Sequence, residues 1–149
     1  MNLKKILYQI IFFLIGAIGY PCIEMLYRAG KTHWTMILVG GLASLAIIDT
    51  NLILKQKNIF LRILTASSLV TLIEFVSGLI LNVWLGMKVW NYTNLPYNVC
   101  GQICLKFSIY WTLLCFAVIV LFELLTFFKS KIKEKMFSNN SIFLFYPQK

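Results

Sequence analysis

The sequence predicts an all-α, polytopic membrane protein, a bundle of four transmembrane helices with an ordered outer loop between helices three and four. Of its 149 residues, 60% are hydrophobic and only 13% are charged, and the mean hydropathy is +0.80. This composition is typical of membrane proteins and not of soluble domains. Four apolar stretches reach the length of about 20 residues that a helix needs to cross the hydrocarbon.

The four predicted spans are joined by connections of different character. The first span follows Lys4 and Lys5 as a signal peptide would, but no A-x-A cleavage site follows, so we expect a retained helix. The connection 55–58 is short and basic, which predicts an antiparallel hairpin of spans two and three. We divide the chain into a four-helix transmembrane domain, residues 1–128, and a basic cytoplasmic tail, residues 129–149. The spans are predicted at residues 6–27, 34–54, 60–84 (or 63–84) and 105–128.

The basic residues predict how the chain lies in the membrane. Ten of the 14 basic residues fall on the side of the two termini and four on the other side. Because cytoplasmic segments carry the excess of Lys and Arg, we expect both termini in the cytoplasm and loops 28–33 and 86–104 outside. The net charge of +9 lies beside membrane spans, so membrane lipids rather than nucleic acid are the expected partner.

Four of the five acidic residues lie inside the apolar stretches, and only Glu134 lies in a solvated segment. A carboxylate in a bilayer costs several kcal/mol, so such residues usually mark a functional site or pair with another group. The four buried acids are Glu24, Asp49, Glu74 and Glu123.

Helical spacing places most of these acids on polar stripes. Steps of three and four residues put one stripe on a single face of span three, and we expect the stripes of different spans to pack together, away from lipid. Asp49 points away from the polar face of its own span. The stripes are Gly16, Tyr20, Glu24 and Tyr27; Gly40, Ser44 and Asn51; Ser67, Thr71, Glu74, Gly78 and Asn82; and Ser108, Thr112, Cys115, Glu123 and Thr126.

The acids differ in depth and in the cations near them. Arg28 lies four residues after Glu24 and can neutralise it. Asp49 and Glu123 lie toward the cytoplasm, where Lys55, Lys57 and Lys129 are expected to reach them. Glu74 lies near the midplane with no basic neighbour in the sequence. The candidates for a transport pathway or pocket are Glu74, Thr71, Asn82, Glu24 and Glu123, although the same side chains can simply hydrogen-bond helices together.

The sequence offers little for an enzyme or a metal site. It contains no H-E-x-x-H, G-x-S-x-G or P-loop motif, and we expect no catalytic residue and no cofactor. Cys100 and Cys104 with one distant histidine make a poor zinc pattern. These two cysteines either form a disulfide or act as small apolar residues.

The stretch from residue 72 onward carries a specific pattern: E-F-V-S-G, then W-N-Y-T, P-Y-N, G-Q-I-C and a tryptophan. It resembles the bacterial permease family labelled putative ABC-transporter type IV, or CmpB-like. Glu24 and Gly40-Gly41 match the first half of the family pattern, and the resemblance covers about residues 15–128. The usual Asp after Trp is Asn91 here, and Thr93 replaces the usual Ser. The matching residues of the second half are Glu74, Gly78, Asn82, Trp90, Tyr92, Pro96, Asn98, Gly101, Ile103, Cys104 and Trp111.

The resemblance implies a small permease-like protein of the bacterial inner membrane, the membrane component of a transporter, with a separate ATPase subunit. It also implies an outer-loop motif that caps the bundle, formed by Trp90, Tyr92, Pro96, Asn98, Gly101 and Cys104. Four spans enclose little space by themselves, so a homo-oligomer or partner subunit is expected. The alternative is a non-transporting membrane protein that binds lipid or another membrane protein. A holin-like pore fits the size and basic tail but not the ordered outer motif.

Overall fold

The computed structural model describes residues 3–144, with side chains placed for residues 3–134. Within this range four helices are long and apolar enough to cross a membrane, which confirms the predicted all-α, multi-pass fold. The only sheet in the described range is one short β-hairpin between the third and fourth helices. The elements are α1 (Leu3–Tyr27), α2 (Thr35–Ile53), α3 (Ile59–Gly78), a π-helical segment (Leu79–Trp84), β1 (Asn98–Val99), β2 (Ile103–Cys104) and α4 (Leu105–Leu144).

Helices α1 and α2 cross closely because glycines stand where they meet. A Cβ atom on Gly40 would lie 2.5 Å from the carbonyl oxygen of Gly16, and a Cβ on Gly16 would collide with Gly40 in return. The hydroxyl of Ser44 donates to the carbonyl of Phe12 across the same crossing, over 2.8 Å. Small residues that let backbones approach are the usual basis of helix packing in membranes.

The hydrophobic core lies between α2, α3 and α4. Asn58 caps the start of α3 by accepting from the backbone N–H of Leu61, over 2.8 Å. Helix α1 contributes only Ala17 and Glu24 to the buried set and rests mainly on α2. A seam is therefore left between α1 and α4. The core residues are Ala43, Ile47, Ile63, Ala66, Val70, Trp111, Cys115 and Ile119.

Helix α3 widens into a π-helix at its end. The backbone N–H of Leu85 donates to the carbonyl of Ile80, five residues earlier, over 2.9 Å. Short π-helical stretches are rare and often occur at functional sites. Here the widened turn carries Asn82, which contacts the following loop.

Helix α4 extends well beyond the predicted fourth span. It continues through residue 128 without a break, so the first part of the predicted tail is a continuation of the helix. The division into a transmembrane domain and a cytoplasmic tail stays a prediction, and the end of that tail lies outside the described residues.

The connection between the π-helical segment and α4, residues 86–104, is folded; we call it the cap. Its hairpin pairs Val99 with Ile103 in antiparallel register. The turn between them needs left-handed backbone at Cys100 (φ 53°) and Gly101 (φ 67°). A Cβ on Gly101 would lie 2.6 Å from Cγ2 of Thr93, so glycine is required there for space as well as for conformation.

Candidate functional site

Asn82 fastens the cap to the π-helical segment. Its Oδ1 accepts from the backbone N–H groups of Val89, over 2.7 Å, and of Trp90, over 3.5 Å. Its Nδ2 donates to Oε1 of Gln102 at 2.9 Å. The Asn82 amide therefore hydrogen-bonds two separate parts of the cap and holds it against the π-helical segment.

Gln102 is the residue of the cap that sequence reasoning missed. It is buried, its carbonyl accepts from the indole N–H of Trp90 at 2.9 Å, and its Nε2 donates to the carbonyl of Cys100 at 3.0 Å. A Cβ on Gly78 would lie 2.6 Å from the Gln102 Oε1 atom. The glycine of the E-F-V-S-G motif thus makes room for the glutamine of G-Q-I-C, and only this pairing of motifs could have pointed to Gln102.

Asn98 holds the tip of the cap in shape. Its Nδ2 donates to the carbonyl of Leu95 at 2.8 Å, and its Oδ1 accepts from the backbone N–H of Gly101 at 3.0 Å. Pro96 is exposed within the adjoining turn, whereas Cys104 is buried beneath the hairpin. The predicted outer-loop motif is therefore the framework of an ordered cap.

Glu74 is buried at the contact of α3, α4 and the cap, with 3% of its surface exposed. Its Oε1 accepts from the hydroxyl of Tyr92 at 3.0 Å, and its Oε2 accepts from the indole N–H of Trp111 at 2.8 Å. Among the side chains of residues 3–134, no cation forms an ion pair with it. Two neutral donors satisfy the carboxyl group without supplying a countercharge.

A cavity of about 730 Å³ lies beneath the cap in the seam between α1 and α4; we call it the cap cavity. Glu74 and Glu24 are its acidic wall residues, and the rest of the wall is rich in aromatic rings. Tyr20 stacks on Trp111 with centroids 5.1 Å apart, and Tyr92 stacks on Phe107 at 4.6 Å. The wall comprises Tyr20, Ile23, Glu24, Tyr27, Arg28, Met36, Val39, Glu74, Trp90, Asn91, Tyr92, Asn94, Leu95, Lys106, Phe107, Tyr110, Trp111, Leu113 and Leu114.

A second cavity of about 530 Å³ continues along the same seam, away from the cap; we call it the apolar cavity. It shares Tyr20, Ile23, Trp111 and Leu114 with the cap cavity, so the two adjoin. Its remaining wall is almost entirely apolar: Phe12, Ile15, Gly16, Gly19, Gly40, Ala43, Ser44, Ile47, Ile48, Val118, Leu121, Phe122, Leu125, Thr126 and Lys129.

Glu24 is neutralised within the protein, as its spacing to Arg28 indicates. The Arg28 guanidinium lies 2.7 Å from the Glu24 carboxylate, and the hydroxyl of Thr32 donates to the other carboxylate oxygen. Arg28 also donates to the carbonyl of Val89 in the cap, over 3.4 Å. This cluster ties the end of α1 to the cap.

Glu123 is paired differently from the sequence-based expectation. We expected lysines at positions 55, 57 and 129 to reach it, but the Arg62 guanidinium lies 2.6 Å from its carboxylate. Asn51 completes the cluster, accepting from Arg62 at 2.9 Å and donating to Glu123 at 3.3 Å. Arg62 lies in the first turn of α3, and its side chain is buried in the bundle. Its burial is possible because Asn51 of α2 and Glu123 of α4 both bind its guanidinium.

The pathway candidates do not form one site. Glu74 and Glu24 line the cap cavity, and Asn82 secures the cap. Glu123 belongs to the separate Arg62 cluster, and half-buried Thr71 lines neither cavity.

The described residues contain no group of three His, Cys, Asp or Glu side chains that could hold a metal ion. Cys100 is exposed and Cys104 is buried, and both are free thiols in the structure.

Comparison with known proteins identifies the family. The chain matches the family model for Putative ABC-transporter type IV over residues 10–146, a longer range than the motifs alone covered. No curated protein and no solved structure gives a match. Since the match spans nearly the whole chain, this membrane protein belongs to the family described as Putative ABC-transporter type IV.

Proposed function

We propose that the chain is the permease-like membrane component of a transporter and that it binds its substrate in the cap cavity. One observation carries this proposal. The Glu74 carboxyl lines the cavity, and no cation pairs with it among the described side chains. An acidic group that is buried in a membrane-spanning helix without a countercharge is costly, so a substrate that contacts Glu74 offers a reason for its presence.

The orientation belongs to the same proposal. We place the chain in the bacterial inner membrane, with both termini in the cytoplasm and the cap outside, because ten basic residues lie on one side and four on the other. The sequence contains no P-loop motif, so ATP hydrolysis would come from a separate subunit on the cytoplasmic side. A second copy or another membrane subunit would complete the passage.

A second candidate function is a membrane protein that holds a lipid or a partner without transport. It is favoured by the Glu24–Arg28 and Glu123–Arg62 clusters, in which the acids serve to hold helices and cap together. This explanation does not extend to Glu74, which receives hydrogen bonds but no ion pair in the described part of the chain.

The test compares four strains of the native host: wild type, a deletion, Glu74→Gln and Glu134→Gln. Glu134 is the matched control, because it is an exposed carboxyl that the same substitution neutralises. Mass spectrometry of small molecules in cells and medium should show one altered profile shared by the deletion and Glu74→Gln, with Glu134→Gln resembling wild type. The amount of protein in the membrane is measured for each variant. A wild-type profile in a Glu74→Gln strain with normal protein levels would overturn the proposal.

A further inference from the structure

We propose that the α1–α4 seam binds an amphiphile with an ammonium head group, the head against Glu74 in the cap cavity and the apolar tail in the apolar cavity. This rests on the proposed function in so far as it names the substrate class of the same site. Binding can be measured whether or not transport occurs.

The charge of the head group follows from which charges are already paired. Arg28 is occupied by Glu24 at 2.7 Å. Glu74 is buried, and among the side chains of residues 3–134 its hydrogen-bond donors are Tyr92 and Trp111. Lys106 also borders the cavity, but it is exposed to solvent, which screens its charge. A cation that reaches Glu74 therefore gains a partner that the described side chains do not supply.

The aromatic wall favours an organic cation over a metal ion. The rings of Trp111 and Tyr92 lie beside the Glu74 carboxyl, since both donate to it, and Trp90 and Tyr20 share the same wall. Aromatic faces attract ammonium groups through the ring quadrupole, and most strongly where water is excluded. Metal binding would require several further oxygen, nitrogen or sulfur ligands, and no group of three acidic, His or Cys side chains occurs among residues 3–134.

The tail follows from the continuity of the two cavities. They share wall residues on both helices, and the second is lined almost entirely by apolar side chains. Gly19 borders the apolar cavity, and a Cβ atom placed on it would meet no atom within 4 Å. Ile15 and Leu121 line the apolar cavity and are more than half exposed on the surface of the bundle, so the seam opens where lipid surrounds a membrane-spanning bundle and an amphiphile can enter from the bilayer.

The experiment measures binding to the full-length chain in nanodiscs of an uncharged glycolipid, which has no ammonium group to compete. The probes are tetramethylammonium, and decyltrimethylammonium and decyl sulfate below their micellar concentrations. On the wild-type chain we expect saturable binding of decyltrimethylammonium that tetramethylammonium weakens, and clearly weaker binding of decyl sulfate, measured in a separate titration because the two decyl ions pair with each other in solution. Equal affinity for decyl sulfate would overturn the ammonium head, and this comparison needs no variant to fold.

Two variants then test the two ends of the site. Glu74→Gln should weaken decyltrimethylammonium binding by about tenfold or more, as expected for loss of a buried charge partner, whereas Glu134→Gln should not. Gly19→Leu should weaken decyltrimethylammonium but not tetramethylammonium, because the new side chain fills the tail region. Unchanged affinity in both variants would overturn the proposal. If binding is unchanged but the cellular profile still depends on Glu74, the proposed function stands and only this substrate class fails.

Discussion

The indole N–H of Trp111 in α4 donates to the carboxyl group of Glu74 in α3, over 2.8 Å, and both side chains are buried. This bond joins the hydrophobic core to the cap cavity, because Trp111 packs in the core on one side and lines the cavity on the other. Glu74 and Trp111 are 37 residues apart in the chain. Because of this contact, the position of the Glu74 carboxyl, which is the candidate substrate-binding group, depends on the packing of α4.

Replacing Trp111 with Phe should show how much this bond contributes. The substitution keeps a ring against Tyr20 but leaves a buried oxygen of Glu74 without a donor. We expect a loss of about 1–3 kcal/mol in the free energy of unfolding, which is the cost of an unsatisfied buried polar group. Thermal or chemical unfolding in detergent measures it. In a Glu74→Met background, whose side chain offers no oxygen to the indole N–H, the same change should cost clearly less, and equal costs in both backgrounds would show that the bond is not the cause.

The close contact between Gly78 and Gln102 gives a second prediction, which concerns the packing of the cap on α3. The Gly78→Ala variant places a Cβ 2.6 Å from Oε1 and 2.9 Å from Cβ of Gln102, so the glutamine must move. We expect a loss of about 1–3 kcal/mol, as for an overpacked site, and faster proteolysis within the cap.

Gly19→Ala is the control for this change, because the added Cβ meets no atom within 4 Å. Alanine favours a helix over glycine by about 1 kcal/mol, so this variant should be neutral or more stable. If both glycine variants lose the same stability, the contact with Gln102 is not the reason that position 78 is glycine.

Sequence reasoning predicted the helices and the buried position of Glu74, because both depend on local patterns. Apolar stretches of sufficient length define spans, and a carboxyl group among them is conspicuous at any spacing. It missed Arg62 as the ion-pair partner of Glu123, because helical spacing predicts faces and not which side chain from another helix reaches them. Arg62 lies 61 residues away from its partner. Gln102 was missed for the same reason, since its role depends on Gly78 in a different element.

The Arg62–Glu123 pair should contribute more to stability than an exposed ion pair. Glu123→Gln removes the charge that faces Arg62, whose side chain is 10% exposed. We expect a loss of about 1.5–3 kcal/mol in unfolding experiments, the usual range for hydrogen bonds to charged groups. Glu134→Gln should change stability by less than about 1 kcal/mol, because its partner Lys131 lies 3.8 Å away on the surface. A larger loss on replacing Lys55 and Lys129 together would contradict the assigned pair.

Orientation in the membrane can be tested with reporter fusions. A reporter that is active only in the cytoplasm, fused after Lys57 or after Lys135, should be active in both cases, because the basic residues concentrate on that side. After Asn94, in the cap, the expectation is reversed: a reporter that needs export for its activity should be active there, and the cytoplasmic reporter should be inactive. An external signal from the fusion after Lys57 or after Lys135 would overturn the proposed orientation, and with it the placement of the cap outside.

Tyr92 gives a prediction that depends on pH. Its burial raises the pKa of the Tyr92 hydroxyl well above its ordinary value, and the nearby Glu74 carboxylate adds to this, so the hydroxyl keeps its proton and donates to Glu74. Because the pKa is higher in the folded state, stability is unaffected below the unfolded value of about 10 and falls as the pH rises above it.

Tyr92→Phe should therefore lower the free energy of unfolding by about 1 kcal/mol at neutral pH, through the lost hydrogen bond, while it keeps the ring stacked on Phe107. Above a pH of about 10 the difference in stability between wild type and variant should shrink. Tyr92 then ionises in the unfolded wild-type chain but not in the folded one, which lowers the wild-type free energy of unfolding. Unfolding at several pH values measures both effects. Tyr97→Phe is the control, since Tyr97 is 80% exposed and its substitution should not alter the stability at neutral pH. A constant difference between Tyr92→Phe and wild type across this pH range would mean that Tyr92 does not ionise on unfolding as its burial predicts.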